Sequence, residues 1–327
     1  MSHKKLALFI ALSLLSIVSG AVFGLIDLFG FIDGRHALSL TLLIVSVLLI
    51  YLITIVVFIL NFAERKRTWP FFAVAALLFS TTFFLMSLTF QLTIASGMIF
   101  LAFLYYAYVN SAHRSHLFIA FSPKEIFFPI IKTSFVYLMV ILALLAYTQS
   151  RQLISQHSLV SPVMVKIISR PMVLTLNKQI NSQLQSELGS QLPSQMSAGE
   201  KDRLIRSVLK QSVEAMAQNE EGRIYGFKPE EIPIENAIVY DSGEIDLTPV
   251  IDGMLPQIAI RLNDEIQRYA VFAPFVVAFI VILIIQPFIY PIELIEALLT
   301  LVIFKVILRS GFIKLTKETK EVDVIQF

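Results

Sequence analysis

The sequence predicts an all-α polytopic membrane protein with six to seven transmembrane helices, an α-rich extracytoplasmic insertion and a small β element. Three observations carry that prediction. Of 327 residues, 56% are hydrophobic and 15% charged, with 27 Phe and a mean hydropathy of +0.76; soluble domains carry about 25% charged residues. The apolar residues fall in uninterrupted runs, each long enough to cross a hydrocarbon layer of about 30 Å at about 1.5 Å per residue. One stretch, residues 150–268, departs from this composition and is dominated by Gln, Ser, Asn and charged side chains.

The first apolar run, residues 6–28, follows Lys4 and Lys5. Ser19-Gly20-Ala21 has the small residues of a signal-peptidase site, but the run continues through Val22, Phe23, Leu25 and Ile26, which favours an uncleaved helix. The second run, 37–62, contains no charge and ends in Glu64-Arg65-Lys66-Arg67. The third, 69–90, follows at once, and the fourth reaches Tyr108 after a short turn marked by Gln91 and Thr93. Trp69, Tyr105, Tyr106 and Tyr108 sit near span ends, where amphipathic rings favour the membrane interface. Ser122-Pro123 reads as an N-cap and first helical residue. Ile126, Phe127, Ile130 and Ile131 behind it form one face of an amphipathic interfacial helix, within which Pro129 is a kink or stop. That helix leads into a fifth span at 133–147 and completes a five-span membrane block over residues 1–149.

Within the polar domain, 150–268, Val173, Leu176, Ile180, Leu184 and Leu188 recur at helical spacing up to Gly189. Ser197 and Glu200 match a capping box ahead of Ile205, Val208, Leu209, Val213 and Met216. Residues 237–240 are a short strand candidate closed by Asp241-Ser242-Gly243, and Thr248-Pro249 starts a helix towards Arg268. Residues 269–310 are predicted to form a helical hairpin in the membrane: a sixth span at 269–285, a break at Gln286-Pro287 and Tyr290-Pro291, and a seventh run at 292–308. In the tail, 311–327, Ile313 and Leu315, then Val322 and Val324, alternate with polar residues. This predicts a β-hairpin that docks on the polar domain beside 236–240.

Cytoplasmic loops collect Lys and Arg. With the N-terminus cytoplasmic, the inner segments carry Lys4, Lys5, Arg65, Lys66, Arg67, Arg114, Lys124 and Lys132, while the outer loops of the same region carry Arg35 alone. Five spans then put 150–268 outside, and seven spans put the C-terminus outside as well. Lys305, Arg309, Lys314, Lys317 and Lys320 sit uneasily there and favour the alternative of six crossings.

Functional signals are few. The absence of cysteine excludes disulfides, thiolate catalysis and Cys-ligated metals, and a net charge of +2 gives no case for nucleic acid. His113 and His116 have an H-x-x-H spacing but no neighbouring carboxylate, and they read as an interfacial polar turn rather than a metal site. Asp27, Asp33 and Arg35 read as a solvated loop. No P-loop, G-x-G-x-x-G, H-E-x-x-H or G-x-S-x-G occurs, so no cofactor, metal or catalytic residue is nominated and an enzyme is not favoured. Glu293 and Glu296, with Gln286 and Thr300, lie at the proline-broken region. They form a candidate ion pathway if they face the bundle, and ordinary solvated charges if they face water. The sequence therefore points first to a membrane-anchored protein that binds a partner, assembles as a homo-oligomer or senses the cell surface through 150–268. The alternative is a transporter or channel using the sixth and seventh spans.

Overall fold

A computed structural model of the chain describes residues 3–34, 38–61, 68–87, 89–117, 123–188, 199–200, 202–208, 210, 232–240 and 244–311. The chain divides into two compact units. The first comprises Met1–Phe31, His36–Ser150 and Phe272–Phe327, and the second Ile32–Arg35 and Arg151–Val271.

The first unit is a bundle built from α1 (His3–Leu25), the short α2 (Leu28–Ile32), α3 (Leu38–Asn61), α4 (Trp69–Ser87), α5 (Phe90–Leu117) and α6 (Pro123–Ser155). The second unit contributes α7 (Pro162–Leu188), β1 (Ile238–Val239), β2 (Ile245–Asp246) and α8 (Thr248–Arg268). The chain then returns to the bundle in α9 (Ala273–Arg309). Among the described residues six helices are long and apolar enough to cross a membrane, namely α1, α3, α4, α5, α6 and α9. The chain is accordingly a multi-span membrane protein.

Two glycines set the close packing of α1 on α4. A Cβ at Gly20 would overlap the Thr82 hydroxyl and the Phe79 carbonyl, and one at Gly24 would lie 2.6 Å from the Met86 Cβ. Gly20-x-x-x-Gly24 thus lets the α1 and α4 backbones meet, as small residues do in membrane helix pairs. Phe9 against Phe71 at 4.6 Å makes the two helices parallel. Phe72 against Tyr108 at 5.4 Å brings the end of α5 to that same face. At the other face Gln149 grips the break between α1 and α2, donating to the Ile26 carbonyl at 2.7 Å and accepting from the Leu28 amide at 3.0 Å.

The predicted hairpin at 269–310 is corrected. α9 is one helix of 37 residues with Pro287 and Pro291 inside it, so the prolines do not break the chain and no separate seventh span forms. Proline is tolerated in membrane helices, where neighbouring groups re-satisfy the freed carbonyls. At about 1.5 Å per residue α9 spans about 55 Å, more than one crossing needs. It begins beside α6, with Phe275 and Tyr147 rings 4.8 Å apart. It ends where the Lys4 ammonium donates to the Gly311 carbonyl at 3.2 Å. The start of α1 and the end of α9 therefore share one face of the bundle. Tail residues 312–327, and with them the predicted docked hairpin, lie outside the described residues.

The second unit has a small core of Ile205, Ala237, Ile245, Leu247 and Val250, with Val165, Leu255 and Ala259 forming another cluster. The strand candidate pairs with a neighbour that sequence reasoning did not name: β1 and β2 are antiparallel, with Ile238 opposite Asp246. Asn177 and Asn181, one turn apart on α7, serve β2 in place of a third strand. Asn181 accepts from the Ile245 amide at 2.7 Å and donates to its carbonyl at 3.0 Å, while Asn177 accepts from the Leu247 amide at 3.1 Å. Asp246 accepts from the Thr248 hydroxyl, the Thr248 amide and Asn177 at the start of α8. These bonds, the Thr248 hydroxyl first, hold its carboxyl below the usual range. Asp33, expected to be solvated, accepts a hydrogen bond from Ser161 at the start of α7. Arg35, the Ser197 capping position and the His113 and His116 side chains lie outside the described residues.

Candidate functional site

α9 meets the bundle through a mixed face, with Ile285, Ile289, Ile292 and Ile303 packed on the core beside a few buried polar side chains. Its buried residues include Glu293, Glu296, Thr300 and Phe304, which recur at i, i+3, i+7 and i+11 and so share one stripe. Glu293 is 8% exposed and Glu296 and Thr300 are each 2% exposed, while Leu294, Ile295, Leu298 and Val302 on the other sides are open. The helix is inverted relative to a soluble amphipathic one: carboxylates face the protein, and leucines face the place a lipid would occupy.

The facing surface is α3. Phe58 and Phe304 rings meet edge-on at 5.7 Å. The buried Tyr51 hydroxyl lies 2.8 Å from the Thr300 hydroxyl and 3.1 Å from the Glu296 carbonyl, to which Thr300 also donates at 2.7 Å. Thr300 and Tyr51 both donate to that carbonyl, so both hydroxyl protons are used on the backbone side of the cluster. None reaches the carboxylate. The Glu296 Oε2 atom is buried without a hydrogen-bond partner among the described residues.

Three of the four residues singled out from sequence, Glu293, Glu296 and Thr300, are thus brought together, facing inward rather than water. Gln286 is not among them; it lies on the exposed side of α9, two turns earlier. Tyr51 was missed. Its signal was available as a lone tyrosine within the aliphatic second span, three residues before Thr54, also buried.

Two carboxylates on one buried face are costly, because burial disfavours each charge and each disfavours the other. Three arrangements relieve the cost: a proton on one carboxyl, a bound cation, or a basic partner. Among the described residues no Lys, Arg or His pairs with either Glu, and no group of three His, Asp or Glu is gathered as a metal-ion site. No protein-family model matches the chain, nor does any curated protein or solved structure.

Proposed function

We propose that this protein is a membrane protein of the transporter or channel class in which Glu293 and Glu296 bind a proton or small monovalent cation. In this reading Thr300 and Tyr51 fix α9 against α3. The single observation that carries it is the burial of Glu296 beside Glu293 with a carboxylate oxygen left unpartnered. An ionisable pair held inside a membrane bundle marks an ion or proton path more often than a structural element. The full chain, purified in mild detergent and reconstituted in sealed liposomes, is expected to pass protons or a monovalent cation down an imposed gradient. Glu296→Gln is expected to remove that flux while leaving the thermal melt intact. Liposomes whose internal pH and cation content ignore the gradient would overturn the reading.

A second reading, a partner-binding or assembly role for residues 151–271, is favoured by a specific observation. The first half of α7 exposes Ile167, Ile168, Met172 and Leu174, with Ile168 at 77% and Met172 at 69%. A unit with so small a core gains stability when such a stripe is covered. Size-exclusion chromatography with light scattering on the detergent-purified chain tests it: a monomer that no Ile168 or Met172 substitution alters would remove it.

Sidedness is part of the same proposal. The face shared by Lys4 and Gly311 also receives Arg309, the start of α4 and the end of α5, and the sequence between successive spans on that side carries Arg65, Lys66, Arg67, Arg114 and Lys124. That concentration of positive charge supports a cytoplasmic location for this face, and with it an extracytoplasmic location for 151–271. A C-terminal end on the cytoplasmic side also removes the unease of an outward basic tail.

A further inference from the structure

The geometry points to a binding site for an anionic phospholipid in the groove between α5 and α6, which the proposed function does not use. The groove has a volume of about 740 Å³, within the range of small-molecule sites. Asn110 and Lys132 stand at one end, and Ile99, Phe103, Val136 and Val140 line the rest. The two helices run antiparallel along it, Asn110 to Ile99 on one side and Lys132 to Val140 on the other. At about 1.5 Å per residue the eleven steps from Ile99 to Asn110 cover about 16 Å, roughly half a hydrocarbon core of about 30 Å. The groove therefore has the length of one leaflet, with a cation at its head end and an apolar trough for an acyl chain.

Three further observations select a lipid with a negative headgroup. Lys132 is exposed at the mouth, so the head end carries a positive charge. Tyr105 and Tyr106, both 58% exposed, sit at the rim, the level at which tyrosine favours headgroups. The floor is filled by aromatic rings: Tyr137 stacks on Phe103 at 4.6 Å and packs on Phe100 at 5.7 Å. The head end lies on the face shared by Lys4 and Gly311, because Tyr108 near it packs on Phe72 at the start of α4.

Native mass spectrometry of the full chain in mild detergent, with phosphatidylglycerol or phosphatidylcholine added at equal concentration, tests this. Wild type is expected to retain phosphatidylglycerol preferentially. Lys132→Gln is expected to weaken that retention about fivefold, the worth of one basic residue near an anionic headgroup, and to leave phosphatidylcholine unchanged. Val136→Trp, at a lipid-facing position that tolerates bulk, is expected to fill the trough and reduce retention of both lipids. Val140→Trp, one turn further along, gives the same readout if the first variant does not fold. Equal retention of the two lipids by wild type, or retention of phosphatidylglycerol untouched by the folded variants, would overturn the site. Neither outcome depends on ion flux, so failure here leaves the carboxylate reading standing.

Discussion

Adding one methyl group at Gly20 tests the close packing of α1 on α4. The new Cβ would collide with the Phe79 carbonyl, which belongs to the α4 backbone, and with the Thr82 hydroxyl. Thr82 cannot simply rotate away, because its hydroxyl already donates to the Leu78 and Phe79 carbonyls at 2.9 and 3.0 Å. α1 and α4 must separate, which costs about 1–3 kcal/mol for overpacking of this kind. Alanine recovers about 0.8–1 kcal/mol of helix propensity over glycine, and with a backbone carbonyl as the obstacle the overpacking cost is about 3 kcal/mol, so Gly20→Ala should destabilise by about 2 kcal/mol. Gly97→Ala is the informative contrast. The obstacle there is a side chain, the Ser80 hydroxyl, which can turn aside at the loss of one bond to the Ala76 carbonyl, so the net change should be close to zero. Gly199→Ala, with nothing within 4 Å of the new atom, should be neutral or stabilising. Unfolding in mixed detergent micelles, followed by fluorescence of the lone tryptophan, Trp69 at the start of α4, measures the first two. If Gly20→Ala were as stable as wild type, or less damaging than Gly97→Ala, the close approach of α1 and α4 would be wrong.

Three other perturbations follow from the same structure. Tyr51→Phe and Thr300→Val should each destabilise the bundle, and their double-mutant cycle should show a coupling of about 0.6 kcal/mol, the average for membrane-embedded hydrogen bonds; zero coupling would deny that the two hydroxyls meet. The Asp246 carboxyl titrates below its ordinary value of 3.8 when folded, so its contribution to the second unit is complete above that value and is lost as pH falls through the folded one. Asp246→Asn should remove this acid-side loss, and an unchanged acid transition would place it elsewhere. The chain has no cysteine, so single cysteines report cleanly: Gln156→Cys should react with a membrane-impermeant maleimide in intact cells and Ser310→Cys only after the membrane is opened, the reverse pattern inverting the proposed topology.

The membrane spans were legible in the sequence because insertion is a local matter. A run such as 37–62, apolar and without charge, needs only its length and composition to fill a bilayer. The polar second unit was legible in part for the opposite reason, since water leaves a trace: Thr248-Pro249 marked the start of α8, and 237–240 marked β1, although β2 at Ile245–Asp246 carried no alternation long enough to notice. The G-x-x-x-G at Gly20 and Gly24 was also in plain view, but the sequence does not say which helix it meets.

Composition and run length alone therefore establish which segments are apolar and long enough to cross a membrane, that residues 150–268 differ from them, and that Glu293, Glu296, Gln286 and Thr300 are polar residues within the late apolar stretch. Three-dimensional packing, by contrast, sets that α9 continues through Pro287 and Pro291, that it runs unbroken to meet Lys4, and that the Glu296–Thr300 face turns toward Tyr51. The reason is physical. A proline's effect depends on whether neighbours satisfy the carbonyl it frees, which no local pattern records. In a helix apolar on most of its circumference, hydrophobic periodicity does not by itself separate the face toward protein from the face toward lipid, because both are largely apolar. Rotation about the axis is then set by packing partners such as Phe58 and Phe304, and that rotation decides whether two glutamates are solvated charges or a buried site.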